Sequence, residues 1–176
     1  MKKVFLILGV VFVAVVGYFI YTLATTRSHS PTDEASITLA GSEISISYCR
    51  PYKKGRVIFG ELVPYNTYWR TGANDATEIT FTKDVKFGDK EVAAGSYRFY
   101  TIPEENQWTV VLNSELKQWG YGEPNYELDV TRVTVPTSTT EKEVEQFTIS
   151  FRPGVGAVNL VMEWDRTSVS VPIKPL

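Results

Sequence analysis

Short runs of strictly alternating residues, broken by turn-forming clusters about every ten residues, constrain this chain more than any other feature. Ile44, Ile46 and Tyr48 alternate with Ser45 and Ser47, the period of a strand with one face buried. Residues 77–82 repeat the pattern with Ile79 and Phe81, and Phe147, Ile149 and Phe151 do so again. Gly41, the Gly88-Asp89 pair and Pro153-Gly154 supply hairpin turns. Roughly ten short strands follow from this spacing, with no helix beyond a turn or two in the same region. Pro136 and the Thr/Ser run after it read as a linker, and Asp165-Arg166-Thr167 as a turn. The expected fold class is all-β: an antiparallel two-sheet sandwich, jelly-roll-like or barrel-like, with one N-terminal transmembrane helix.

That helix is expected because residues 4–24 carry no charge and follow Lys2 and Lys3. At the helical rise this run spans roughly 30 Å, the thickness of a bilayer's hydrocarbon core. It is longer than a signal peptide's apolar region, so an uncleaved signal-anchor is expected rather than a cleaved leader. The lysines would stay cytoplasmic by the positive-inside rule. Such a chain would be single-pass in the inner membrane of the bacterial cell envelope, with an extracytoplasmic, periplasmic C-terminal domain. The expected organisation is an anchor over 1–24, a polar tether over 25–35 and a β-sandwich domain over 36–176.

Composition excludes several function classes. A net charge of -2 gives no general attraction to nucleic acid. The one cysteine, Cys49, forbids an intrachain disulfide. The one histidine, His29, falls in the expected tether, which removes most zinc sites and histidine-based nucleophile systems. No metal or cofactor is expected.

The chemistry concentrates in residues 48–74. Arg50, Lys53, Lys54, Arg56 and Arg70 lie there among Tyr48, Tyr52, Tyr65, Tyr68 and Trp69, punctuated by glycine and proline. A guanidinium is a planar fork of donors that grips phosphate or carboxylate in two places and stacks on aromatic rings. Arg50, Arg56, Tyr65, Trp69, Arg70 and Asn74 are therefore the candidate ligand-binding set, with Thr71 or Asn74 as orienting donors. The competing reading has each arginine stapling loops through an acid such as Glu61, Asp75 or Glu78. A second aromatic surface is expected in residues 113–125 and just beyond, where Gly120, Gly122 and Pro124 frame Trp119, Tyr121 and Tyr126.

Several phrases together carry a family likeness: Tyr48-x-Arg50-Pro51, Lys54-Gly55-Arg56-x-Ile58-Phe59-Gly60, Pro64-Tyr65, Trp69-Arg70-Thr71-Gly72-Ala73-Asn74 and Ala94-Gly95-Ser96-Tyr97. They resemble domain-of-unknown-function family 2911, a group of exported bacterial proteins, over roughly residues 37–172. The resemblance implies a β-sandwich-like fold and export, and no activity. Family members usually place a small residue at the position of Cys49, which argues against a shared catalytic thiol.

Three functional readings follow. The leading one is a non-catalytic binding module for an anionic or carbohydrate-like ligand, or a cell-envelope partner, attached to the membrane through residues 4–24. Another is an accessory subunit of a membrane complex, held by the anchor helix. A third is a cryptic carboxylate-based hydrolase or lyase, drawing two acids from Glu61, Asp75, Glu78, Asp129, Glu163 and Asp165.

Overall fold

The computed structural model describes residues 2–116 and 120–176; side chains in the N-terminal helix are described for residues 9–22, 25, 28 and 29. Helix α1 runs over Lys2–His29. Strands follow in the order β1 (Thr32–Leu39), β2 (Ser42–Cys49), β3 (Thr77–Phe81), β4 (Val85–Phe87), β5 (Lys90–Val92), β6 (Gly95–Pro103), β7 (Gln107–Asn113), β8 (Asp129–Gly154) and β9 (Ala157–Pro175). All pairings are antiparallel.

Turn chemistry sets the register. Ala40 and Gly41 both take positive φ, 50° and 75°, the backbone of a two-residue hairpin turn. The turn pairs Leu39 with Ser42 and, at the far end, Thr32 with Cys49. Gly88 turns β4 into β5 at φ 62°. A Cβ built there would stand 2.6 Å from Val133 Cγ1, so the hairpin tip is seated directly on β8. Gly88→Ala adds volume to a full site at an unfavourable φ, and a loss of about 2–3 kcal/mol is expected on chemical denaturation. An unchanged midpoint would show that this contact is slack.

The strands form one nine-stranded sheet in the order β1-β2-β3-β6-β7-β8-β9-β4-β5, where two separate sheets were expected. The reason is β8. Its first residues, up to Pro136, pair with β7, and from Thr137 onward it pairs with β9. Pro136 therefore lies within a strand, where the chain exchanges one neighbour for another, and is not part of a linker. Asp165 likewise is no turn: it sits inside β9 with φ 54°, beside register irregularities in the β8–β9 ladder. Both halves of the sheet contribute to a single core, including Ile44, Phe81, Phe99, Leu112, Leu160 and Trp164.

Residues 25–35, expected as a free tether, are mostly ordered elements, with α1 reaching His29 and β1 opening at Thr32. Among the described residues no helix is long and apolar enough to cross a membrane. The expected span, 4–24, includes side chains at 4–8, 23 and 24 that lie outside the described set. Within it, Phe12, Val13, Tyr18, Phe19 and Ile20 are exposed.

Candidate functional site

Residues 50–76 contain no strand, yet they are tied down at several points. Lys53 N donates to Glu145 O at 2.7 Å, and Phe147 N donates to Pro51 O at 2.9 Å. Trp69 and Thr101 exchange backbone hydrogen bonds of 2.8 and 3.0 Å. Left-handed backbone at Lys54, Gly55, Gly60, Asn66, Thr71 and Asn74 folds the segment back on itself between these anchors.

The fold sorts the arginines into two kinds. Arg50 is consumed internally: Nη1 pairs with Asp33 at 3.0 Å, Nε donates to Phe147 O at 3.1 Å, and Nη2 donates to Thr148 Oγ1 at 2.8 Å. It joins β1, β2 and β8, and is the staple of the competing reading. Replacing it with alanine is expected to cost about 1.5–3 kcal/mol, the worth of charge-assisted hydrogen bonds, measured by denaturant midpoint. A wild-type midpoint would show that the staple carries no stability.

Lys53 is likewise held by Asp165 at 2.7 Å and Glu143 at 3.0 Å. Hydrogen bonding to Asp165 first, then to Glu143, raises its pKa.

Arg56 and Arg70 differ. Arg56 Nε donates to Lys53 O at 2.9 Å and Nη2 to Tyr52 O. Arg70 Nη1 lies 3.5 Å from Asn74 O, and its guanidinium sits 5.9 Å from the centre of the Tyr121 ring. Among the described residues neither arginine, nor Lys54, has a carboxylate within ion-pair distance. All three line one cavity of about 320 Å³. Its floor is formed by Trp69 and Trp164, whose rings stack at 6.0 Å between centroids.

Of the expected set, Arg56, Trp69 and Arg70 converge on this cavity and Arg50, Tyr65 and Asn74 do not. Tyr65 instead packs on Gly60, where a Cβ would come within 3.1 Å of its ring. Asn74 turns its amide to Ser30 O at 3.4 Å. Thr71 is fully buried and bonds inward to Thr101 Oγ1 at 3.0 Å, so it cannot orient a ligand in the cavity. Trp69 is only 8% exposed, and its indole N–H is committed to Gly72 O at 3.2 Å. It is a floor and a core residue rather than an open stacking platform.

His29 and Ser30, at the end of α1, also line the cavity. The β1–β2 ladder ends at Thr32 and Cys49 and His29 belongs to α1, so no strand register in the sequence points to it. An adjoining outer lobe is bounded by Ser28, His29, Tyr52, Lys54 and Glu145. Glu145 is the acid of this region; no carboxylate among the described residues lines the main cavity. Asp129, Glu163 and Asp165, weighed above as acid/base candidates, are engaged by Arg132, Arg152 and Lys53 respectively.

A family model for a protein of unknown function, DUF2911, matches residues 30–173. The chain belongs to the DUF2911 family. No curated protein and no solved structure matches it. The match opens at Ser30, so nearly the whole cavity lies inside the DUF2911 domain and His29 stands one residue outside it.

The second aromatic surface of the DUF2911 domain is split. Trp119 lies outside the described residues. Tyr121 is 80% exposed beneath Arg70. Tyr126 opens a 3₁₀ turn (Tyr126–Leu128), donates to Glu123 at 2.9 Å and packs 6.1 Å from Tyr100. Tyr100 in turn donates to Asp129, which also pairs with Arg132 at 2.5 Å. Burial first, then the bond to Glu123, pushes the Tyr126 phenol up to about 12. The neutral phenol is the form the fold favours, so its stability contribution is complete below pH 10 and is lost as pH rises through about 12. Tyrosinate absorbance is expected to show a component titrating near pH 12 that Tyr126→Phe abolishes. Survival of that component in the variant would contradict the assignment.

Proposed function

We propose that the DUF2911 domain of this chain is a non-catalytic binding module for an anionic ligand, held outside the cytoplasm by α1. The observation that carries this reading is the trio Lys54, Arg56 and Arg70. They share one cavity, and among the described residues none of their side chains forms an ion pair with a carboxylate; Glu145 accepts from the Lys54 backbone N–H at 2.9 Å in the adjoining lobe. Elsewhere on the same body Arg50, Lys53, Arg132 and Arg152 each hold an acid. Cations left uncompensated in a recess raise the local concentration of anions and offer charge-assisted hydrogen bonds to them.

Anion recognition is favoured over carbohydrate recognition by the state of the indoles. A sugar needs an open aromatic face, and Trp69 and Trp164 present theirs to each other and to Phe147. The anchoring part of the reading rests on the uncharged run 4–24 and on the apolar side chains that α1 exposes. A helix apolar on all sides is at home in lipid or inside a protein assembly.

Isothermal titration of the full chain with inorganic phosphate and with sulfate tests the reading. Saturable binding of one ion per chain, weakening with added salt, is the expected result. No heat beyond dilution, or binding unaffected by salt, would overturn it.

A further inference from the structure

The end of α1 and the cationic cavity occupy the same place, and this defines where the ligand comes from. We propose that the cavity receives the phosphate headgroup of an anionic membrane lipid, presented from the bilayer in which α1 is seated. The inference rests on the anion-binding, anchored reading above.

The depth follows from helix geometry. The uncharged run ends at residue 24, and α1 continues to His29. Five residues at the helical rise advance the chain by roughly 7.5 Å. A bilayer's headgroup layer adds about 5–7.5 Å beyond the hydrocarbon on each side. His29 thus lies at the outer boundary of that layer, and it lines the same cavity as Lys54, Arg56 and Arg70.

The rim fits such a position. Leu62 lines the cavity while 42% exposed, and Val57, one residue past Arg56, is 54% exposed. Apolar side chains standing open beside uncompensated cations are the makings of a surface that sits on an anionic leaflet. Glu145 bounds only the adjoining lobe, which Ser28 and His29 of α1 also line, and no carboxylate among the described residues lines the main cavity.

The test uses the full chain in detergent. Native mass spectrometry reads how much phosphatidylglycerol and phosphatidylcholine stay bound when each is added alone. Preferential retention of phosphatidylglycerol is expected. The variant Lys54→Gln/Arg56→Gln/Arg70→Gln should lose affinity about fivefold per cation removed, on the order of a hundredfold in all. Lys86→Gln/Lys174→Gln, on the paired strands β4 and β9, should behave as wild type.

Equal retention of the two lipids, or a preference that survives the triple variant, would overturn the proposal. A parallel titration with inorganic phosphate separates the two levels. Phosphate binding lost in the triple variant, without any lipid preference, sinks the lipid source and leaves the anion site. Absence of both removes the site itself.

Discussion

Trp69→Ala is expected to destabilise the protein by about 3–5 kcal/mol, the range for removing a large buried aromatic. For a chain of this size that corresponds to a fall in melting temperature of about 6–20 °C. The reason is the position of the indole. It meets Phe59, Trp108 and Phe147 at 5.9, 5.6 and 5.1 Å, and stacks on Trp164. Its backbone is locked to Thr101 and its N–H to Gly72 O. Alanine would leave a void that β7, β8 and β9 cannot close without moving their ladders. Trp69→Phe should recover much of the loss by refilling the volume, although Gly72 O would remain unpaired. A Trp69→Ala protein that melted like wild type would mean that the 50–76 segment lies on the sheet without being built into it.

Arg56→Gln/Arg70→Gln carries the largest functional effect. Each arginine is expected to supply one charge-assisted hydrogen bond to a bound anion. Exposure puts each near the low end of the usual range, about 1.5 kcal/mol. Losing both should therefore weaken phosphate binding by on the order of a hundredfold. Stability should change by less than about 1 kcal/mol, because among the described residues neither guanidinium holds a carboxylate, the Arg56 bond to Lys53 O is exposed, and the Arg70 bond to Asn74 O is long at 3.5 Å. Arg50→Ala should do the opposite, costing stability and sparing affinity. The pair of outcomes separates a fastening arginine from a receiving one within one short stretch of chain. Both arginine variants losing stability, or both losing affinity, would erase the distinction.

Much of the fold was legible from local pattern. The alternation in β2 and β3 is the direct imprint of one buried face, and the Gly41 and Gly88 turns did what their backbone freedom allows. What misled was punctuation. Pro136 reads as an interruption because it lacks a backbone donor, yet it falls where β8 changes partner and no donor is required of it. Asp165 reads as a turn residue and is instead a left-handed irregularity inside a continuous strand. Each error cut one long strand into shorter ones and made one continuous sheet look like two.

The site was legible in composition and only partly in membership. Arg56, Trp69 and Arg70 meet, whereas Arg50 points to β1 and β8 although it is only six residues from Arg56 in sequence. Nearness along a chain folded through so many left-handed positions says little about which way a side chain faces. His29 was missed for the converse reason. It is remote from the stretch in sequence, yet at the end of α1 it lines the same cavity as Tyr52.

Arginine side-chain nuclear magnetic resonance during a phosphate titration tests the central claim most directly. The Nε–H signals of Arg56 and Arg70 are expected to shift together along one saturable curve, with the Arg50 and Arg152 signals stationary in their ion pairs. Shifts confined to other cations, or none at all at saturating phosphate, would contradict an anion site in this cavity.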